Sequence, residues 1–352
     1  MKILLDLGHP KYVHALKNSI RELRQKGHEI LALARNKECV LRLCSAYDIP
    51  FVDRGKGGKG VIDRAAYWVR AVARARKLID GFRPDLLASF GSPILAVAGA
   101  LKRLPIVVFD DHEPNRLVQA VYIPSSAAIV VPACFRKELS RKQRRFNGYF
   151  ELAYLHPDRF TPDPHVRGDL GLERDQPYVL LRFVSWNAFH DRGRRGIALE
   201  WKRKLVEAIA AKARVFISSE GVLPEDLAAM RFPLPPERIH DAMAGAALVV
   251  GDSTTMAAEA AVLGVPSLHM SDIKTGYLLE LQDKFMLLES FAPDENGLVR
   301  LLKRASDLVL DAAARSQWQK RRECMLADKI DVAGFISWFL ENFPGSFEEN
   351  SQ

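Results

Sequence analysis

The sequence predicts an α/β protein made of two doubly wound, parallel-sheet domains facing a central cleft. Three observations carry that expectation. At 352 residues the chain exceeds what one hydrophobic core usually serves. Its candidate strands are apolar throughout and alternate with helical periods, the pattern of a parallel sheet covered on both faces. A stretch rich in Pro and Asp, His156 to Pro177, interrupts the pattern, which then restarts. The expected boundaries are a basic N-terminal domain at 1–160, a linker at 161–176, a C-terminal domain at 177–328, and a helix and tail at 329–352.

In the first half, ILLDL reads as a buried strand and HALKNSIRELRQKGH as a helix with near-3.6 apolar spacing that closes at Gly27. Strands EILALA and PFVDR follow, with a helix around Glu38 to Tyr47 between them. The glycine-rich GKGGKG reads as a loop, because it lacks the spacing of a phosphate-binding Walker motif, Gly, four residues, then Gly-Lys-Ser/Thr, and Val61 follows Gly60. A long basic helix then runs to about Gly81. Strands DLLASF, PIVVFDD and AAIVVP complete the half, with helices at Ser92 to Lys102 and near Arg116 to Val121. The second half repeats the alternation from strand YVLLRFV to strand PSLHM, with a helix at PEDLAAM and a short strand at Arg238 to His240. A last helix is expected over Val332 to Phe343, followed by a frayed GSFEENSQ tail.

Apolar residues at 48% and charged residues at 27% are ordinary for a globular chain and exclude a largely disordered one. No apolar run reaches the ~20 residues that span a bilayer, and the opening MKILLDLGHP is too short for a signal-peptide core. Cys39, Cys44, Cys134 and Cys324 lack metal-ligand spacing, so reduced thiols and a cytoplasmic location are expected. The net charge of +8 is uneven, since residues 1–160 hold 28 basic against 15 acidic residues. Its basic residues concentrate in Arg54 to Arg83 and Arg136 to Arg145. Three readings stand for these runs: a solvated helix face, a surface for anionic membrane or lipid phosphate, or nucleic acid. No recognition motif accompanies the charge, so no nucleic-acid partner is expected.

The most informative stretch is Ala247 to Met270. An apolar strand ends at Gly251, and a helix begins at Asp252, Ser253, Thr254 and Thr255. Such a start offers free backbone N–H groups and partial positive charge to a phosphate or diphosphate. Glu259, nearly two turns on, could accept bonds from paired hydroxyls such as those of a ribose. The same residues also suit a well-capped helix with Glu259 on its wet side. In the first half His9 and His14 follow the opening strand, and a histidine such as His14 is a residue type suited to act as general base for a hydroxyl. The cluster Asp110, Asp111, His112 and Glu113 offers alternative bases or acceptor-binding carboxylates.

The D-S-T-T-M-x-x-E-A-x-x-x-G-x-P segment resembles the nucleotide-binding signature of GT-B glycosyltransferases and of the bacterial non-hydrolysing UDP-N-acetylglucosamine 2-epimerases. A closer resemblance, to an archaeal and bacterial GT-B-like family catalogued as domain of unknown function number 354, spans nearly the whole chain. It rests on PKYVHALKNSIRELRQKGHEI, ELAYLHPDRFTPDP, LLRFVSWNAFHDRG, FISSEGVLPEDL, IHDAMAGAALVVGDS and TTMAAEAAVLGVPS. The resemblance implies a GT-B fold of two Rossmann-like domains, with the diphosphate on Ser253 to Thr255 and the ribose on Glu259. It further implies that Arg182 and His190, with Arg192, Arg194 and Arg195, close over the diphosphate, where guanidinium suits the anion. Ser218 and Glu220 would face the same cleft, and Ile239 and His240 would present groups to the base. His14 resembles the catalytic base of several GT-B transferases, and Glu113 the Glu of the epimerases' His-Val-Glu-Ala-Gly segment.

The activity expected on this resemblance is glycosyl transfer from a nucleoside-diphosphate sugar, UDP-linked, in cell-surface polysaccharide or glycolipid synthesis. No cofactor or metal is expected. The acceptor would be lipid-linked or anionic, with the protein peripheral on the inner face of the membrane. Two alternatives stand beside it, a 2-epimerase and a non-catalytic nucleotide-sugar-binding protein. Against the epimerase, that family's opening Gly-Thr-Arg-Pro-Glu is here Gly8-His9-Pro10-Lys11-Tyr12, and its Gly-Asp-Thr is here Gly91-Ser92-Pro93.

Overall fold

The structure, a computed structural model, describes residues 1–58, 60–184, 197–219 and 222–349. Two compact units emerge. The first comprises Met1–Tyr154, Thr275–Tyr277 and Lys329–Gln352, and the second Leu155–Lys274 and Leu278–Asp328.

Seven parallel strands form the first unit's sheet: β1 (Lys2–Leu7), β2 (Glu29–Ala34), β3 (Phe51–Asp53), β4 (Leu86–Phe90), β5 (Ile106–Phe109), β6 (Ala128–Pro132) and β7 (Gln143–Phe146). They lie in the order β3-β2-β1-β4-β5-β6-β7. Chain direction through the sheet reverses between β1 and β4, and ligands of such sheets bind beyond the carboxyl ends at that point. Helix α1 (Pro10–Gln25) starts there. His9 caps it by accepting from the Lys11 N–H at 3.2 Å, and Pro10 supplies a ready helical φ. Its Val13, Leu16, Ile20 and Leu23 are buried on one face. Gly27, with φ of +87°, then turns the chain into β2 in a conformation that a Cβ would oppose. Helices α2 (Val40–Ala46), α3 (Val61–Phe82), α4 (Pro93–Lys102) and α5 (Arg116–Ser125) follow. One face of the sheet is covered by α3, α4 and α5, through Tyr67, Ala71, Ala75 and Ile79, Leu95 and Tyr122.

The second unit is a five-stranded parallel sheet of β8 (Tyr178–Phe183), β9 (Arg214–Ser219), β10 (Leu248–Gly251), β11 (Ser267–Met270) and β12 (Leu288–Phe291), ordered β12-β11-β10-β8-β9. Its helices are α6 (Leu199–Ala210), α7 (Ile239–Gly245), α8 (Thr254–Val262), α9 (Glu295–Leu308) and α10 (Ala312–Asp328). Here the reversal falls between β8 and β10, where Gly251 pairs with Arg182.

Four expectations are corrected. Arg238 to His240 is no strand: Pro236–Arg238 is a 3₁₀ turn leading into α7. Proline fixes φ at that turn, and Arg238 pairs with Asp163, Asp169 and Asp241. PEDLAAM is a 3₁₀ helix at Glu225–Met230. The run Arg136 to Arg145 is not a helix face, because its end forms β7, and the guanidinium groups of Arg144 and Arg145 serve backbone carbonyls while Arg136 and Arg141 are exposed. Arg145 Nη1 donates to Phe135 O at 2.6 Å, and Arg144 Nε to Phe347 O at 2.7 Å. The tail is ordered as a helix at Gly345–Glu349, with the buried Ser346 hydroxyl donating to Phe339 O at 2.7 Å.

Gly251 is the tightest requirement in the second sheet. A Cβ there would lie 1.9 Å from the Arg182 carbonyl oxygen, an atom of backbone that cannot swing aside. Gly251→Ala should therefore lower stability by about 3 kcal/mol. Urea denaturation reads this directly, and an unchanged midpoint would contradict the β8–β10 register.

Candidate functional site

At the carboxyl end of the first sheet, α1 carries Lys11 inward, where it is only 6% exposed. Its Nζ donates to Asp111 Oδ2 just after β5, and lies 2.8 Å from Glu151 Oε1. The Tyr277 ring centroid is 5.0 Å from the same ammonium. Glu151 is 0% exposed, and its Oε2 meets no hydrogen-bond donor among the described residues. Burial pushes the Glu151 carboxyl up from its ordinary pKa, opposed by the Lys11 charge. For Lys11, burial acts downward, but the Asp111 and Glu151 carboxylates outweigh it and hold the ammonium well above its ordinary value. The cluster thus places one buried ammonium between two buried carboxyl groups, and burial raises the pKa of one of them, Glu151.

Neighbouring acids play different parts. Asp110 is saturated: it accepts from Tyr122 Oη at 2.5 Å, Gln119 Nε2 at 3.1 Å and the His112 N–H at 2.9 Å. Burial raises its pKa, and these bonds partly offset the effect. Glu113 Oε1 accepts from the N–H groups of Gly276 at 2.8 Å and Arg136 at 3.2 Å, while its buried Oε2 has no hydrogen-bond partner among the described residues. A small pocket of about 90 Å³ is lined by Tyr12, Phe90, Phe109, Asp110, Asp111 and Tyr122, among others. Tyr12 and Phe90 stack in it at 4.6 Å.

A second polar cluster joins three strand ends. Arg54, after β3, donates through Nη1 to both oxygens of Asp6 on β1 and through Nε to Tyr67 Oη at 3.0 Å. Ser92, the cap of α4, donates its hydroxyl to Asp6 Oδ2. Asp6 and Arg54 are buried. His14 is buried too, with Nδ1 3.1 Å from Tyr47 Oη and its ring stacked on Tyr154 at 5.5 Å. On α1 it is Lys11 that meets the carboxylates.

In the second unit, Ser253 caps α8 by accepting from the Met256 N–H at 3.4 Å. Ser253, Thr254 and Thr255 are half-buried, and the amides of this first turn have no partner within the helix. Asp252 Oδ1 accepts from the Val184 N–H at 2.8 Å, and burial raises the Asp252 pKa. Arg182 Nη1 donates to Ser218 Oγ at 3.1 Å. Glu259 is buried, its Oε1 3.0 Å from His240 Nε2, so one of its oxygens is already committed. Ile239 opens α7. His190 and Glu220, with Arg192, Arg194 and Arg195, lie outside the described residues. His269 on β11 is completely buried, and neither ring nitrogen makes a hydrogen bond among the described residues. Burial lowers its pKa to about 4, despite the nearby Asp252 backbone.

The structure therefore groups Arg182 with Ser218, Asp252 with Val184, and His240 with Glu259. It adds Lys11, Glu151, Tyr277, Arg54 and His269, to which the sequence assigned no role. Glu151 and His269 carried a signal, each being a polar residue within an apolar run. Among the described residues, no group of three or more His, Cys, Asp or Glu could hold a metal ion. No helix among them is long and apolar enough to cross a membrane.

These two parallel-sheet units define a protein of GT-B architecture. The same fold occurs in the Staphylococcus aureus MnaA–UDP co-structure, with a TM-score of 0.70 at 13% identity over 98% of this chain and 97% of that one. It occurs also in the Neisseria meningitidis UDP-GlcNAc 2-epimerase bound to UDP-GlcNAc, with a TM-score of 0.69 at 12% identity over 97% of this chain and all of that one. The chain belongs to the family described as Protein of unknown function (DUF354), which matches residues 1–289. A relative, the uncharacterized protein MJ0665 of Methanocaldococcus jannaschii, is 22% identical over 279 residues, 76% of this chain and 81% of its own length.

The buried His269 has a measurable consequence. Its folded pKa is depressed, so below the unfolded value of about 6.5 the unfolded chain takes a proton that the folded one refuses until about 4. Stability is thus lost as pH falls through this window, by about 3 kcal/mol. Urea denaturation across it should be flatter by that amount in His269→Gln; parallel curves would contradict a neutral, buried imidazole.

Proposed function

We propose that this protein is a nucleoside-diphosphate-sugar enzyme that works by acid–base chemistry on the sugar, in the manner of a 2-epimerase. The observation that carries the reading is the buried Lys11–Asp111–Glu151 cluster. Epimerisation removes the proton at sugar C2 as the C1–oxygen bond to the diphosphate breaks, leaving a C1–C2 double bond. The nucleoside diphosphate then returns to C1 while a proton is delivered to the opposite face of C2. Each half of the cycle needs a base and an acid held out of bulk water. Asp111 paired with Lys11 suits the first role, and a Glu151 biased toward its acid form suits the second. In this reading the amides opening α8 and the Arg182 guanidinium hold the diphosphate, and they stabilise it as leaving group without a metal. A UDP-linked sugar is the substrate.

The cluster at Asp6 supports the reading further. The epimerase motifs' Arg and Asp are missing here from the loops after β1 and β4, yet Arg54, Asp6 and Ser92 bring a guanidinium and a carboxylate to those strand ends. Glycosyl transfer stands as the second reading, favoured by those same motif departures, with Asp111 or Glu113 as base for a lipid-linked or anionic acceptor.

The test is incubation of the purified protein with UDP-N-acetylglucosamine alone, followed by separation of 2-epimers. Conversion is expected, with kcat reduced at least ~100-fold in Asp111→Asn and Glu151→Gln and nucleotide-sugar affinity retained. Turnover only after an acceptor is added would move the assignment to glycosyl transfer. No binding of any nucleotide sugar would overturn both readings.

A further inference from the structure

Helix α3 is apolar on two opposite faces. Tyr67, Ala71, Ala75 and Ile79, spaced four apart, pack into the core of the first unit. On the other side Ile62, Ala65, Val69 and Ala73 follow the i, i+3, i+7, i+11 pattern and point to solvent. Ile62 is 84% exposed and Val69 is 69% exposed, with Val61 beside them at 83%. A helix whose outer face is merely solvated carries charge there, and this one carries an apolar stripe. The neighbouring helices extend it: α4 packs against α3 and exposes Leu101, and α5 packs against α4 and exposes Leu117 at 86%. Apolar side chains scattered singly would need no explanation, but these lie on three adjacent helices of one layer.

The charges flanking this stripe are almost all of one sign. Arg64, Arg70, Arg76 and Lys77 on α3, Arg103 after α4 and Arg116 on α5 are exposed. None of the six side chains has an ion-pair or hydrogen-bond partner among the described residues. Of the acids on α3, Asp80 is paired with Lys102 at 2.5 Å, which leaves Asp63. Elsewhere in the first unit some basic side chains are engaged within the fold, Arg54 by Asp6 and Arg144 and Arg145 by backbone carbonyls. Six exposed positive charges thus lie on the layer where the apolar side chains are exposed.

We propose that the layer formed by α3, α4 and α5 is a docking face for an anionic lipid bilayer. Val61, Ile62, Val69 and Leu117 enter the boundary between headgroups and acyl chains, and the arginines and lysine meet the lipid phosphates. Arginine and lysine suit this because their stems lie along apolar surface while their charged ends reach the phosphates. The inference is independent of the reaction assigned above.

Flotation with vesicles of phosphatidylcholine, with and without phosphatidylglycerol, tests it on the full chain. The protein should float with the anionic vesicles, not the neutral ones, and binding should fall at high salt. Ile62→Glu/Val69→Glu should weaken binding at least ~10-fold, and Arg70→Gln/Arg76→Gln/Lys77→Gln about 100-fold, near fivefold per charge. Both variants change exposed residues and should keep the wild-type melting temperature; if the first does not fold, the second carries the test. Absence of binding to anionic vesicles at low salt overturns the proposal, as does binding undiminished in both variants. A wild-type dimer that Ile62→Glu/Val69→Glu makes monomeric, with no vesicle affinity, would give the face to a second copy of the chain.

Discussion

Lys11 Nζ lies between Asp111 and Glu151, with the three side chains 6%, 10% and 1% exposed. Two carboxyl groups this deeply buried cannot both ionise without a compensating cation, and an ammonium cannot be buried without an anion. One lysine therefore sets the charge state of the whole cluster. Desolvation raises the Glu151 carboxyl from its ordinary pKa, and the Lys11 charge opposes that rise. Such a cluster is the kind of site in which environment can separate acid from base. Its cost in solvation energy gives no stability that well-packed apolar residues would not give, which favours a chemical role over a structural one.

The geometry that brings these groups together follows from parallel sheets. In each unit the strand order reverses once, and the loops after the two central strands diverge. In the first unit those loops hold His9 and Ser92, with Lys11 in the first turn of α1 and Asp6 close by on β1. In the second they hold Val184 and Asp252, whose bond ties the loop after β8 to the start of α8. Gly251 permits this by letting backbone pass where a side chain would collide. On the proposed reading the second unit holds the anion and the first moves the proton.

Much of this was legible in residue order. Apolar strands, helix caps and the restart after the proline-rich connector announced two α/β units, and Asp252 to Thr255 announced a capped helix start. Periodicity could not separate a short apolar strand from a turn of helix, so Arg238 to His240 was misread where Pro235 and Pro236 govern the backbone. Basic runs could not be sorted into surface and interior, because Arg54 and Arg145 find partners distant in sequence or in carbonyl groups that carry no sequence signal. For the same reason Lys11 escaped notice. Its partners stand 100 and 140 positions away, and the Asp111 pairing exists only once β1 and β5 belong to one sheet. Glu259 was recognised as polar and placed near a hydroxyl, yet His240 already holds one of its oxygens.

Proton exchange between the first unit's buried cluster and a sugar carbon is what the proposed chemistry requires. Incubation with UDP-N-acetylglucosamine in heavy water, followed by NMR of the recovered nucleotide sugar, measures this most directly. Deuterium at C2, absent with Asp111→Asn, is the predicted result. A recovered substrate carrying only hydrogen at C2, from a protein that binds it, would contradict the central claim.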